Sequence, residues 1–329
     1  MAKTKKNQPL TKTQKSEVKV IAKNAVKDEA EKKYMNCARI TSVRPYRANT
    51  PGNIGVIAYS NSVSTVSDGT QLHYGIADGT GAPEPIKELK MMRPYVGVTG
   101  DAQTDNYAIE GRECKPSSAR VKWRMSRDIG NAVSLTSAEP APLNPPNLAT
   151  NLPVIVRMIR VNPKVGQNNI RCDPEEDLFV TEYNNNIGVN NANFDETELL
   201  MYRINKRRYN VIEDKFFRIQ NALTLQYQLS WKSDDTYYRQ PIITNTNANC
   251  EKLYRTNHML TSKKGGSLFY DTPDVSTLEA PSSGHKREYI FYHFVYAGAE
   301  TFISQDSGSP TYPSDLLLTA SPMVKFTDV

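Results

Sequence analysis

Beyond residue 36 the hydrophobic residues recur mainly with a period of two, in short runs separated by turn residues. The clearest run is at residues 119–125, where alanine, valine, tryptophan and methionine alternate with three cations. A two-residue period places alternate side chains on opposite faces of a strand, so such runs predict half-buried β-strands. Glycine (17) and proline (20) are spread along the chain, which favours short strands joined by turns. We expect an all-β body of roughly eight to ten strands, arranged as a sandwich or jelly roll.

The predicted strands suggest one body preceded by an arm. They lie at residues 38–43, 54–59, 119–125, 154–161, 178–183, 199–204, 209–219, 223–231, 252–260 and 289–296. Residues 137–153 contain five prolines and are expected to form a loop, although a linker between two domains is an alternative. We favour the loop because residues 154–161 are apolar on both faces and need partners from both halves of the chain. The expected organisation is an arm over residues 1–36 and a single jelly-roll body over residues 37–329.

The net positive charge of the chain lies in the arm. The sequence has 41 lysines and arginines and 35 acids, and residues 1–36 hold ten lysines, no arginine and four acids. Subtracting these leaves 31 basic and 31 acidic side chains in residues 37–329, so the body is electrically balanced. Sequence-independent affinity for nucleic acid comes mainly from cations that displace phosphate counterions. The arm therefore predicts a polyanion as partner.

The arm is expected to begin disordered and to continue as a helix. Residues 1–15 hold five lysines, no acid and almost nothing apolar to bury. From Thr11 onward, capping-box spacing with Gln14 and apolar residues at three- and four-residue steps predict a weakly amphipathic helix that ends near Asn36. This helix either becomes ordered against a body, a neighbour or nucleic acid, or is an ordinary solvated helix. The candidate nucleic-acid ligands of the arm are Lys3, Lys5, Lys6, Lys12, Lys15, Lys19 and Lys23.

A second candidate surface for phosphate contact lies on the predicted strand at residues 119–125. Arg120, Lys122 and Arg124 fall on one face of this strand, and the apolar residues fall on the other. The arm is short and contains four acids, so we expect the body to contribute to charge neutralisation. The alternative is that these three cations pair with acids of a neighbouring strand, because the body as a whole is balanced.

The sequence offers no compact catalytic or metal-ligating motif. The histidines His73, His258, His285 and His293 have no metal-ligand spacing and are interpreted as packing or surface residues. Four widely separated cysteines indicate free thiols. Residues 173–177 gather four carboxylates, which either hold calcium or form a solvated acidic turn, and we favour the turn. We therefore expect a protein that is not an enzyme, with no cofactor and no metal, although an all-β hydrolase with distant site residues stays open.

No segment of the sequence predicts export or insertion into a membrane. There is no apolar run near the length of a membrane span and no signal-peptide pattern at the lysine-rich start. We expect the protein to be made and kept inside a cell. Lys3, Lys5 and Lys6 also resemble a nuclear import signal, although such short clusters are common by chance.

The stretch at residues 199–219, LLMYRINKRRYNVIEDKFFRI, has a strand, a basic turn and a tyrosine–valine–aspartate–lysine–aromatic run. This stretch resembles capsid proteins of small circular Rep-encoding single-stranded DNA (CRESS-DNA) viruses. Three further features agree with that family in order and position: the lysine arm with its helix, the VIVRMIRV strand after a long loop, and the late aromatic strand REYIFYHFVY. Together these features cover about a third of the chain.

The resemblance implies a jelly roll whose copies assemble into a small icosahedral shell, with the basic arm pointing inward onto the genome. It implies as partners other copies of the chain and a single-stranded DNA genome, and as location the virion, with the host nucleus as a place of assembly. Lys206, Arg207 and Arg208 of the basic turn either touch nucleic acid or form a simple charged turn. Many arms of this family are long and rich in arginine, whereas this arm is short and holds only lysine.

The expected function is that of a capsid protein that packages single-stranded DNA through non-specific electrostatic contacts. Lysine meets phosphate as a mobile point charge without the bidentate fork of arginine, so binding should lack sequence choice. The alternatives are the jelly-roll capsid protein of a small RNA virus, because lysines do not distinguish the two nucleic acids, and a cellular β-sandwich protein that binds nucleic acid with a basic tether. No host receptor is predicted.

Overall fold

A computed structural model describes most of the chain. The described residues are 11–29, 32–35, 37–48, 53–62, 71–77, 81–94, 109, 111–127, 152–164, 172–220, 223–231, 237–246, 248–271, 280–297 and 312–328. Only the backbone is described at residues 22–29, 32, 223–231, 237–246, 248 and 328. Three predictions fall wholly or largely outside these ranges: the disordered start of the arm, of which residues 1–10 are not described, the lysines at positions 3, 5 and 6, and the loop at residues 137–153 except for its last two residues.

Within the described ranges the chain is built mainly of β-strands. The helices are α1 (Lys12–Glu29), α2 (Pro174–Asp177) and α3 (Glu196–Met201), and a 3-10 turn spans Ala248–Cys250. The strands are β1 (Lys32–Tyr34), β2 (Ile40–Val43), β3 (Tyr46–Arg47), β4 (Gly55–Ser60), β5 (His73–Ile76), β6 (Pro83–Pro85), β7 (Lys87–Glu88), β8 (Glu113–Arg127), β9 (Val154–Pro163), β10 (Phe179–Val180), β11 (Asn186–Ile187), β12 (Arg203–Ile204), β13 (Tyr209–Ile219), β14 (Leu223–Trp231), β15 (Tyr237–Thr246), β16 (Glu251–Asn257), β17 (Leu268–Phe269), β18 (Tyr289–Tyr296) and β19 (Leu316–Asp328).

Most of these strands belong to two large sheets, here called sheet I and sheet II. Sheet I has the order β1-β19-β8-β16, with β2 also paired to β19 and β17 also paired to β8. Its long central pair, β19 and β8, is antiparallel from Leu316 opposite Arg127 to Asp328 opposite Cys114. Sheet II has the order β13-β9-β18-β4-β3-β5-β6, and β7 joins β4 as a short parallel strand. Outside the two sheets, β14 and β15 form a separate hairpin.

The two sheets pack face to face, and their facing side chains form the main core. Val121, Trp123 and Met125 of β8 are buried in this core together with Tyr59 of β4 and Tyr292 of β18. The Trp123 ring centre lies 5.3 Å from that of Tyr59 and 5.2 Å from that of Tyr292, in edge-on arrangements. Burial of one apolar side of each strand is what holds the sheets together. The predicted all-β sandwich is confirmed.

The opposite face of sheet II is covered by a third layer, formed by residues 172–209. This layer contains α2, α3 and the small sheet β11-β10-β12. Phe179 and Phe194 of the layer, with ring centres 5.2 Å apart, pack with Ile159 and Phe291 of sheet II in a second core cluster. The central strands of sheet II, β9, β18 and β4, are therefore buried on both faces.

Arg157 of β9 fastens the third layer to sheet II. Its Nε and Nη2 atoms donate to the two carboxylate oxygens of Asp214 at 3.0 and 2.8 Å. Its Nη1 atom donates to the carbonyl oxygen of Leu199 and, at 3.0 Å, to that of Tyr202, at the end of α3. The guanidinium also lies 5.0 Å from the ring centre of Phe216. A buried arginine thus joins an edge strand and a helix end that are distant in sequence.

Sequence periodicity predicted the long strands well and one short segment wrongly. Strands β13, β14 and β18 have the predicted bounds, whereas β10 and β16 are shorter than predicted. The expected strand at residues 199–204 is wrong for its first half, which belongs to α3. The Asp195 carboxylate accepts from the backbone N–H groups of Thr197 and Glu198 at 2.7 and 3.0 Å, and the Glu198 side chain accepts from the Asp195 N–H at 3.0 Å. This capping box starts the helix and allows Leu199 to be buried on one side.

The helix of the arm is confirmed but ends earlier than predicted. The Thr11 hydroxyl accepts from the N–H of Gln14 at 3.3 Å, and the Gln14 side chain accepts from the N–H of Thr11 at 3.0 Å, which is the predicted capping box. The helix ends at Glu29 instead of near Asn36, because the chain from Lys32 onward pairs with β19 as β1. Sheet I therefore begins before the predicted boundary of the arm.

The longest strand that the sequence did not predict is β19, which contains a proline in its interior. The carbonyl of Val324 accepts from the N–H of Met35 at 3.0 Å, so Val324 directs its backbone groups toward the β1–β2 edge. Pro322, two residues earlier, directs its backbone toward the same edge, at the gap between the part of β19 that pairs with β1 and the part that pairs with β2. No described strand pairs with β19 at that point, which is why the proline is tolerated.

Candidate nucleic-acid interface

The three candidate cations of β8 project from the middle of sheet I, away from the core. Lys122 and Arg124 are exposed and Arg120 is half-buried, while the residues between them are buried. Because β8 lies between β19 and β16, these side chains stand at the centre of the sheet and not at its edge. The predicted alternation of cationic and apolar positions is confirmed.

The neighbouring strands enlarge this cationic surface. Arg255 of β16 lies directly opposite Lys122, and Lys325 of β19 lies opposite Ser118 of β8. Residues directly opposite each other in an antiparallel pair share a face of the sheet. We call the set Arg120, Lys122, Arg124, Arg255 and Lys325 the basic face.

Sequence reasoning missed two members of the basic face. Arg255 alternates with core residues in a predicted strand, so the sequence indicates that it faces outward. The sequence does not indicate which strand lies beside it. Lys325 lies in β19, which was not predicted at all. Only the register of β8 with its two neighbours brings these cations together.

One cation of the basic face is neutralised by a neighbouring acid. The Nε and Nη2 atoms of Arg124 donate to the carboxylate of Glu251 at 2.7 and 3.2 Å. The hydrogen bond from Arg124 lowers the pKa of Glu251 and raises the pKa of Arg124. For Arg124 the alternative interpretation, pairing with an acid of the next strand, is therefore confirmed. The pair is exposed to solvent, 59% and 34% for the two side chains, so a phosphate competes with Glu251 at little cost.

The other members of the basic face make no ion pair with a described acid. No described carboxylate lies within ion-pair distance of Lys122, Arg255 or Lys325. The Lys325 ammonium lies 5.4 Å from the ring centre of Tyr34, an aromatic contact that leaves its charge uncompensated. Arg120 directs Nη2 toward the Met323 sulfur at 3.9 Å. Lys122, Arg255 and Lys325 are thus the cations best placed to meet phosphate.

Apolar side chains are interspersed among these cations. Leu253, which is 69% exposed, lies directly opposite Arg124, and Met323 lies opposite Arg120. The ring of Tyr34 borders Lys325 on the other side. A surface that mixes cations with aromatic and apolar groups suits a single strand, whose bases are available for contact, better than a closed duplex.

The arm joins the body at the edge of the same sheet. α1 is followed by β1, which pairs with β19 next to β8. Lys12, Lys15 and Lys19 are exposed, and with Lys23 they are spaced by three or four residues, which places them along one side of the helix. The helix with these lysines is therefore attached to the same sheet that carries the basic face.

The basic turn between β12 and β13 lies elsewhere. It belongs to the third layer, so both sheets separate it from the basic face. Arg208 is committed to structure, because its Nη1 atom donates to the Asp177 carboxylate at 2.6 Å, which also accepts from the Tyr209 hydroxyl. Lys206 and Arg207 are exposed and line a cleft of about 630 Å³. Contact of this turn with nucleic acid stays a prediction, and the structure does not unite it with the other candidates.

The acidic segment at residues 173–177 folds as the one-turn helix α2. The Asp173 carboxylate accepts from the N–H of Glu175 at 3.2 Å, and Glu175 accepts from the N–H of Gly75 at 3.1 Å. Asp177 is buried, and burial raises its pKa despite its hydrogen bonds. Among the described residues no group of three or more histidines, cysteines and acids is placed to hold a metal ion. The four cysteines are free thiols.

Two histidines are buried within hydrogen-bonded networks. His293 lies under the third layer with Nε2 2.6 Å from the Tyr74 hydroxyl, and burial, with the charge of Arg157, lowers its pKa to about 3. His258 lies between the sheets with Nε2 2.7 Å from the Thr256 hydroxyl and Nδ1 3.1 Å from Glu288. These are packing residues, as predicted for them.

The Thr256–His258–Glu288 chain has the order of a nucleophile, a base and an acid, but the hydroxyl is sealed in the core. Thr256 is 4% exposed and its hydroxyl also accepts from Trp123 Nε1 at 2.8 Å. Burial would raise the pKa of Glu288, but hydrogen bonds and charge from His258 and Arg160 outweigh burial and lower it. The arrangement ties β16 to β8 and β18 and gives no substrate access to the hydroxyl.

None of the described helices is long and apolar enough to cross a membrane. No protein-family model matches the chain, and no curated protein matches its sequence. The chemistry of the basic face and the arm is therefore the basis on which a function is assigned.

Proposed function

We propose that this chain is the coat subunit of a small icosahedral shell that encloses a single-stranded DNA genome. The observation that carries the proposal is the position of the arm. Its lysine-bearing helix ends two residues before the edge strand of sheet I, and the outward surface of that sheet carries the basic face. The opposite side of the sandwich is covered by the third layer. A subunit with cations gathered on one side has a side suited to a packaged polyanion and a side suited to the exterior.

The strand order supports a jelly roll as the body of this subunit. Eight strand positions follow one another in the chain: the β1–β2 edge, β4, β8, β9, β13, β16, β18 and β19. Numbered one to eight, they have the order 1-8-3-6 in sheet I and 2-7-4-5 in sheet II. The last strand returns beside the first, and neighbouring strands in each sheet come from distant parts of the chain. This order is the one expected for two interlocked Greek keys, and it supports the jelly-roll proposal.

Binding by this surface depends on charge and lacks sequence choice. Lysines dominate the arm, and a lysine meets phosphate as a point charge that carries no information about base sequence. If about five to ten cations engage a single strand, the slope of log affinity against log salt is on the order of −3 to −7. The location in this proposal is the virion.

The test is expression and imaging of the full chain. We expect particles by negative-stain electron microscopy, with absorbance at nucleic-acid wavelengths that is lost on disruption and treatment with DNase but not with RNase. RNase-sensitive cargo supports the coat protein of an RNA virus instead. Subunits that bind nucleic acid but never assemble support a cellular binding protein, and subunits that neither assemble nor bind overturn the proposal.

A further inference from the structure

The β14–β15 hairpin stands apart from the rest of the described fold. Its strands pair only with each other, in nine residue pairs from Leu223 opposite Thr246 to Trp231 opposite Tyr237. None of the other described helices and strands packs along it. Its base is held where the N–H of Gln220 donates to the carbonyl of Asn249 at 3.0 Å. The hairpin therefore leaves the body between β13, the edge of sheet II, and β16, the edge of sheet I.

One face of this hairpin is apolar by sequence and register. In β14 leucine, tyrosine and tryptophan alternate strictly with threonine, glutamine and serine. Leu225 lies opposite Ile243 and Tyr227 lies opposite Pro241, so these four positions share a face. The two strands together contain a single charged residue, Arg239, which lies opposite Leu229 on this same face, near the tip of the hairpin. A composition so poor in charge is typical of the core of a lasting protein interface.

A hairpin of this kind is not stable as an isolated element. Two paired strands in water are marginal unless a third strand, a helix or another surface covers one face. The margin of the body beside the hairpin also lacks cover in the described structure. β13 has a partner on one side only, and its outward residues Ile212 and Phe216 are 45% and 50% exposed. An unpaired edge with exposed apolar side chains is a ready template for another chain.

We propose that the β14–β15 hairpin is an assembly element that packs its apolar face against the β13 margin of a second copy of this chain. The proposal extends the coat-subunit function and rests on it for the identity of the partner. The nine paired positions span about 30 Å, so one hairpin face offers on the order of 300 Å². A stable interface needs about 800 Å² from each partner. Contact between hairpin and margin therefore supplies less than half of this area, so further surfaces of the two copies must also meet. A ring of identical copies buries the hairpin and the β13 margin on every subunit.

The test compares two variants of the full chain that carry the same added charge. Leu225→Glu with Tyr227→Glu places two carboxylates on the apolar face, and Gln226→Glu with Gln228→Glu places them on the opposite face of the same strand. We expect the first variant to raise the subunit concentration needed for assembly by roughly thirty-fold or more, as for loss of an interface hot spot. The second variant should assemble like the unmodified protein. Sedimentation velocity measures assembly, and far-UV circular dichroism verifies folding.

A second variant keeps the proposal testable if the first variant misfolds. Replacing residues 223–246 by a short glycine–serine linker removes the hairpin, and the hydrogen bond between Gln220 and Asn249 shows that the ends are adjacent. The variant should fold, bind oligothymidylate and remain unassembled.

Particles formed equally well by the apolar-face and excision variants overturn the hairpin proposal and leave the coat function standing. An unmodified protein that forms only dimers lost in both variants supports the hairpin and overturns the shell. An unmodified protein that stays monomeric overturns both.

Discussion

Neutralising three cations of the basic face should weaken binding of single-stranded nucleic acid in a predictable way. The substitutions are Lys122→Gln, Arg255→Gln and Lys325→Gln, which remove charge from the positions without a described acidic partner. Arg124 is left in place because Glu251 already compensates it. All three residues lie on the outward side of sheet I, so the core is untouched.

The magnitude follows from counterion release. Each phosphate contact with a single strand contributes about 0.7 to the slope of log affinity against log salt, so three lost contacts lower the slope by about 2. At about 0.1 M salt each contact is worth a factor of about 5, and the three together about a hundred-fold in affinity. The lysines of the arm remain, so the variant should still bind with a smaller salt dependence.

The assay is fluorescence anisotropy of a labelled oligothymidylate, titrated at several salt concentrations below the threshold for assembly. The matched control removes three exposed cations that belong to neither the basic face nor the basic turn, with Arg203→Gln, Lys263→Gln and Lys264→Gln. We expect the control to change the slope by less than about 0.5. Equal effects of the two triple variants would mean that total charge matters and the basic face does not. An unchanged slope in the first variant refutes its contact with phosphate.

Three further predictions concern stability and are measured by urea unfolding. Arg157→Leu should lower the free energy of unfolding by about 3 to 5 kcal/mol, because it leaves Asp214 without its partner, and a change below about 1 kcal/mol contradicts the fastening role. Thr256→Val should cost about 1 to 3 kcal/mol by leaving the buried Trp123 N–H without an acceptor, and no loss would mean that water replaces the hydroxyl. The pKa of His293 falls from 6.5 to about 3 on folding, so the unfolded chain binds the proton first as pH drops. Acidification from about pH 7 to about pH 5 should therefore destabilise the protein by about 2 kcal/mol more than a His293→Gln variant, and parallel pH profiles refute this.

The sequence predicted the elements whose pattern is long and regular. β14 has its predicted bounds because nine positions alternate between apolar and polar residues, and β18 because eight residues, aromatic or aliphatic except for one histidine, form a run too short for a helix and typical of a fully buried strand. The start of α3 was missed although Asp195 and Glu198 spell its capping box, because the following Leu199–Leu200 pair also fits a strand. β19 was missed because Pro322 argues against a central strand unless a gap in the neighbouring edge is known.

Composition and local pattern determined that this protein has a lysine-bearing arm, a balanced β-body and a strand with cations on one side. Those properties belong to single segments, so they are readable without knowing what lies beside them. The tertiary structure decided that Arg255 and Lys325 join Lys122, that Glu251 neutralises Arg124, and that Lys206 and Arg207 lie on the far side of the sandwich. These are consequences of strand register and layer order, which are set by contacts between residues more than a hundred positions apart in the chain. The identity of a residue determines its charge, whereas the packing of the strands determines which charges lie together on one surface.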